Sequence, residues 1–145
     1  MELEIQIAKN SKAIAESQKI RKQVFVCEQG IPLELDLDGL DSEAFHALAY
    51  CNNKVIGTAR LVLEEKQRAV LARVAVVPEY RGNGIATQLI KAIETKGREL
   101  NIKTIVTHPH EHLKSYYESK GYKIEKKGGM VGNHQLLKMS KDIDN

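Results

Sequence analysis

The stretch Val74-Ala75-Val76-Val77-Pro78-Glu79-Tyr80-Arg81-Gly82-Asn83-Gly84-Ile85-Ala86 joins an apolar strand to a long helix through a glycine turn. Pro78 removes a ladder donor and ends the strand. The first N–H groups of a helix have no partner within it, and its macrodipole places partial positive charge there. Gly82 and Gly84 carry no side chain, so a phosphate can approach those amides closely. Arg81 adds a permanent cation at the rim. A turn of this kind is built to cradle a pyrophosphate. A P-loop is excluded, because Ile85-Ala86-Thr87 stands where Lys and then Ser or Thr belong. A dinucleotide fingerprint on Gly82 and Gly84 meets Thr87 where Gly or Ala is required. A turn that merely caps the helix is the remaining alternative.

Downstream, Gly84 to Leu100 reads as the best helix of the chain. Ile85, Ala86, Leu89, Ile90, Ile93, Gly97 and Leu100 form one stripe, opposite Gln88, Lys91, Glu94 and Arg98. Asn101 ends it, and Ile102 to Thr107 reads as a buried strand. A short helix around Glu111 to Lys120 stops at Gly121, and Tyr122 to Glu125 and Gln135 to Met139 are the last strand candidates. Upstream, Phe45 to Tyr50, Lys54 to Leu63 and Ala69 to Val77 are strand-like, the first two joined by a tight turn at Asn52-Asn53. Glu2 to Ala8 alternates like a half-buried strand, and Asn10 or Ser11 caps a helix running to about Cys27. The order β-α-loop-β-β-β-α-β-α-β-β predicts one mixed α/β domain over residues 1–145.

Composition agrees. With 145 residues, one domain is expected. Hydrophobic residues make up 42% and charged residues 28%, which excludes a disordered chain. No apolar run approaches the ~18 residues of a membrane helix, and the N-terminus has no signal-peptide core, so the chain reads as cytoplasmic with no membrane partner. Cys27 and Cys51 read as small buried hydrophobes. Trp is absent, Phe and Tyr are few, and no basic stripe is evident, which argues against nucleic acid.

A second element lies further on, Tyr116-Tyr117-Glu118-Ser119-Lys120-Gly121-Tyr122. Together with Arg81-Gly82-Asn83-Gly84-Ile85-Ala86, it resembles the GNAT superfamily of acetyl-CoA-dependent N-acetyltransferases. That family carries Arg/Gln-x-x-Gly-x-Gly/Ala and then Tyr-Glu-x-x-Gly-Phe/Tyr. Val24-Phe25-Val26-Cys27-Glu28-Gln29 and the run from His134 to Met139 are similar to a small bacterial single-domain subgroup. The resemblance implies the GNAT fold, a mostly antiparallel sheet of about seven strands flanked by helices. It implies acetyl-CoA as co-substrate, with Arg81, Gly82, Asn83, Gly84, Ile85, Ala86 and Thr87 gripping its pyrophosphate. The pantetheine arm would pair with Val74, Ala75 and Val76, the Val76 N–H facing the developing oxyanion. Tyr117 stands where the family places its general acid, and Tyr116 reads as a core aromatic. A non-catalytic acyl-CoA-binding or sensing module of the same fold is the rival.

The amine acceptor needs a base, and Glu28, Asp41, His46, His108 and His110 are all open. Glu28, Glu34, Asp36, Asp38, Asp41 and Glu43 fall in a stretch without Lys or Arg, leaving thirteen acids against 22 basic residues elsewhere. Such a segment would draw a cationic acceptor. Glu34-x-Asp36-x-Asp38-Gly39 puts Phe45 where a calcium loop needs its last Glu, and His108-Pro109-His110-Glu111-His112 lacks Cys, so no metal is expected. Exposed strand edges near the C-terminus allow a homodimer.

Overall fold

A computed structural model describes residues 2–144. Strand β1 (Leu3–Ala8) leads into helix α1 (Ser11–Arg21), where the Asn10 side chain accepts from the Ala13 N–H at 2.9 Å. The helix continues as a π-helical stretch over Lys22–Glu28. The expected loop then contains one turn of helix, α2 (Leu33–Asp36), and a 3-10 turn at Asp41–Glu43. Strands β2 (Phe45–Cys51), β3 (Lys54–Leu63) and β4 (Arg68–Val76) follow as an antiparallel meander. Asn52 and Asn53, at φ 52° and 65°, make the hairpin turn expected of them. Helix α3 (Ile85–Glu99), β5 (Thr104–Thr107), α4 (Lys114–Ser119), β6 (Lys123–Val131) and β7 (His134–Asp142) complete the order.

The seven strands form one sheet in the order β1-β2-β3-β4-β5-β7-β6. Only β4 and β5 are parallel. The mixed α/β, mostly antiparallel architecture of about seven strands is therefore as the sequence implied. β6 and β7 are longer than their apolar pattern showed. β6 is an edge strand exposed along most of its length, so no burial period marks Lys126-Lys127-Gly128-Gly129. No described helix is long and apolar enough to cross a membrane.

Helix α3 packs its stripe against the sheet, with Ile85, Leu89, Ile90 and Ile93 each 2% exposed or less. Two expectations fail here. Glu94, assigned to the polar face, is 5% exposed: it accepts from the Tyr122 hydroxyl at 2.8 Å and from Lys141 Nζ at 3.1 Å. The helix is thus covered further round by β6 and β7 than its own periodicity shows. Cys27 is exposed rather than buried, because the π-helical stretch buries only Val24; Cys51 is in the core.

Gly57 of β3 fixes how closely α3 approaches. A Cβ there would lie 3.1 Å from Leu89 Cδ1 and 3.2 Å from the Ala75 carbonyl. Gly57→Ala is expected to cost about 1–3 kcal/mol by overpacking. It should also displace the glycine turn that α3 carries and so weaken binding of the coenzyme A that the sequence resemblance implies. Thermal melting and calorimetry check the two effects.

Candidate functional site

The site begins where β4 leaves β5. Arg68 to Leu71 pair with Thr104 to Thr107, after which β5 ends and β4 runs on to Val76. Arg73 lies at the break with φ +58°, and the register to β3 shifts by one residue between Thr58 and Arg60. An extra residue of this kind bends and twists the strand. Beyond it, the Val77 N–H bonds to the Ile56 carbonyl of β3 at 2.9 Å. Backbone groups alternate along a strand, so those of Val74 and Val76 face the gap that β5 has vacated. Val74 and the Val76 N–H thus face that gap without a strand partner, while Ala75 pairs with Thr58 of β3.

The glycine turn follows directly. Gly82 and Gly84 adopt φ +82° and +72°, and a Cβ at either would meet nothing within 4 Å. Both glycines are there for the backbone conformation, and both leave open space beside it. Gly84 is the N-cap of α3 and offers no side-chain cap, so the amides of Ile85, Ala86 and Thr87 open the helix without one. Ile85 itself is 2% exposed, and only its backbone can serve a ligand.

Arg81 behaves differently from the free cation expected at the rim. Its Nε donates to the Val76 carbonyl at 2.9 Å, and its two terminal nitrogens donate to Glu28 at 2.6 and 2.7 Å. The Arg81 hydrogen bonds hold the Glu28 carboxyl below its ordinary pKa. This pair spans 53 residues and ties the π-helical stretch to the end of β4.

Tyr117 is 5% exposed and meets Tyr116 and Tyr122 edge-to-face, with centroids 5.3 and 5.7 Å away. Burial raises its pKa well above the ordinary phenol value, so the hydroxyl keeps its proton through the neutral and alkaline range. Tyr116, read as a core aromatic, also shares a 2.8 Å hydrogen bond with the Thr87 hydroxyl. That bond seats α4, and Tyr117 with it, against the first turn of α3.

The acids of the loop have partners that spacing did not reveal. Arg21, fully buried, bonds to Asp36 and Asp41, and Arg60 to Asp38 and Asp41. Arg73 reaches Asp36 at 3.1 Å and Asp38 at 3.2 Å. Burial pushes the Asp41 carboxyl up, but hydrogen bonds from Arg21, Gln18 and Arg60 outweigh this and hold it far below the usual range. Glu34 and Glu43 have no ion pair among the described residues. The cluster is a structural clamp on the loop, and three of the acids expected to draw a cation are occupied within it.

The same geometry sorts the five base candidates. Asp41 is held in the clamp, and His46, fully buried, has Nε2 on the Asp41 carbonyl at 3.0 Å. His110 stacks on His134 at 4.5 Å. His108 directly follows β5, with its pKa lowered by burial, and Glu28 joins the end of β4 through Arg81. Among the described residues, no group of three or more His, Cys, Asp or Glu could hold a metal ion.

An open strand edge leading into an uncapped glycine turn suits the binding of an acyl-CoA, the class of ligand that acyltransferases use. The model of the acetyltransferase (GNAT) family matches residues 12–122, and the chain belongs to that family. It is an acyltransferase, and acetyl transfer is its general activity. YjcF of Bacillus subtilis, named an uncharacterized N-acetyltransferase, is 26% identical over 118 residues, covering 81% of this chain and 84% of that protein. A solved structure from Lactobacillus plantarum shares the fold at TM-score 0.91 and 23% identity, covering 99% of this chain and 100% of that one. A Bacillus subtilis acetyltransferase solved in complex with CoA shares it at TM-score 0.76 and 14% identity, covering 97% and 99%.

Proposed function

We propose that the chain transfers the acetyl group of acetyl-CoA to a primary amine by direct attack. The observation that carries this reading is the stretch of β4 at Val74 and Val76 that β5 leaves without a strand partner, running straight into the uncapped turn Arg81–Thr87. One edge takes the pantetheine arm as an added strand, and the amides from Gly82 to Thr87 take the pyrophosphate. The N–H of Val76 stabilises the oxyanion that forms as the amine nitrogen attacks the thioester carbon. When the C–S bond breaks, Tyr117 gives its proton to the thiolate. A buried phenol of raised pKa bears its proton at pH 7, so the proton is in place when the thiolate departs.

Glu28 takes the ammonium proton, through water, before attack. Of the five candidates, it is the one bound to the residue that bonds Val76. The carboxylate is ionised throughout the working range, and Arg81 fixes its direction. No second copy is invoked. The exposed edge β6 carries Lys123, Lys126 and Lys127 and two register irregularities, features that discourage edge pairing.

The test is thiol release from acetyl-CoA in the presence of a panel of primary amines. Gly84→Ala supplies the control on the site. The left-handed φ costs a non-glycine residue roughly 1–2 kcal/mol, and the added methyl enters the space beside the turn. Binding of coenzyme A should weaken by about tenfold, the loss of roughly one amide–phosphate hydrogen bond. Unchanged affinity by calorimetry would refute the cradle.

A further inference from the structure

The segment from Leu33 to Asp41 is built with its polarity reversed. Asp36 and Asp41 are 3% and 7% exposed, whereas Leu33, Leu35, Leu37 and Leu40 are 40%, 51%, 42% and 36% exposed. Single exposed leucines are ordinary, but four within eight residues make a patch. The clamp explains how the segment tolerates this arrangement: its fold is held by arginines, and the leucines are not needed for the core. Three guanidinium groups, of Arg21, Arg60 and Arg73, match three carboxylates, of Asp36, Asp38 and Asp41. The segment therefore offers little net charge to a ligand, with Glu34 the one acid it leaves without an ion pair among the described residues.

Its position gives the patch a use. Arg73, which stands immediately before Val74 at the bend of β4, donates to the carbonyls of Leu35 at 3.4 Å and Asp36 at 3.2 Å. One arginine side chain thus spans the distance between the leucine segment and the strand edge where the acyl group is to lie. We infer that the acceptor is a primary amine with an apolar aliphatic or aromatic body, which rests on Leu35 and Leu37 while its nitrogen enters the gap beside Val74–Val76. This rests on the acyl-transfer reading above, and it replaces the cationic acceptor that the acidic segment suggested.

The test compares hexylamine and phenethylamine with spermidine and ethanolamine as acceptors for the full chain, following thiol release. The apolar amines should show kcat/KM about tenfold or more above the polar ones, the scale of discrimination an apolar contact supplies. The exposed-site variant Leu35→Asn/Leu37→Asn should raise KM for the apolar amines about tenfold, with coenzyme A affinity, melting temperature and ethanolamine kinetics unchanged. Preference for spermidine, or apolar-amine kinetics unchanged in the variant, overturns the inference while leaving acyl transfer intact. Loss of a dimer in the variant by sedimentation, with acceptor kinetics unchanged, assigns the leucines to a second copy and also overturns it. Failure of every amine with coenzyme A still bound refutes the acyl-transfer reading itself, and this inference with it.

Discussion

Tyr117→Phe is expected to lower kcat for acetyl transfer by about 10²–10⁴-fold, the range of a positioned general acid, while binding coenzyme A as tightly as the native protein. The phenyl ring keeps the edge-to-face contacts with Tyr116 and Tyr122, so packing is retained and only the hydroxyl is lost. The affinity is separable because, in the proposed site, the turn holds the cofactor through backbone amides. The native pH profile should show no alkaline fall below pH 10, since burial raises the Tyr117 pKa above the ordinary 10.0. A non-catalytic binding module would be indifferent to the substitution. Unchanged kcat in Tyr117→Phe would remove the residue from the mechanism.

Asp41→Ala is expected to be the most destabilising single change. It leaves Arg21 and Arg60 short of a shared carboxylate in a buried setting. Breaking one side of a buried ion pair typically costs about 3–5 kcal/mol, which here should lower the melting temperature by roughly 10 °C. The clamp also sets the acid limb of stability. A carboxyl whose pKa is lower folded than unfolded contributes stability that is complete above its unfolded value, 3.8 for Asp41 and Asp38. That contribution is lost as pH falls below this value, because the unfolded chain then binds the extra protons. Urea midpoints of the native protein should therefore drop below about pH 4. The drop should be shallower in Asp41→Ala, and an equal slope in both proteins would exclude the clamp as its source.

The clamp also shows what a sequence reading misses. Its acids were visible as a stretch free of Lys and Arg, and that separation invited a ligand of opposite charge. The compensating arginines lie 15 to 37 residues away from the acids in sequence, on α1, β3 and β4. No local pattern couples those positions. Arg21 sits in a helix of weak amphipathicity, and Arg60 lies in a strand buried on both faces, where no alternation marks it. The same blindness applied to Glu94, whose partners Tyr122 and Lys141 come from the far end of the chain.

Residues that act on their own neighbours were legible. Asn52-Asn53 as a turn, Asn10 as a cap, Gly82 and Gly84 at positive φ, the α3 stripe and the strand–turn–helix at Val74–Ala86 all depend on contacts within a few residues. Local sterics and periodicity decide these, so the element order and the glycine turn could be read from the sequence alone. That β5 stops short of the bend in β4, that Arg81 turns to Glu28, and that Asp36 and Asp41 face inward while the leucines beside them face outward were settled only by tertiary contacts. Those outcomes depend on charges and strands distant along the chain meeting in a low-dielectric interior, where an unpaired guanidinium costs more than an exposed leucine.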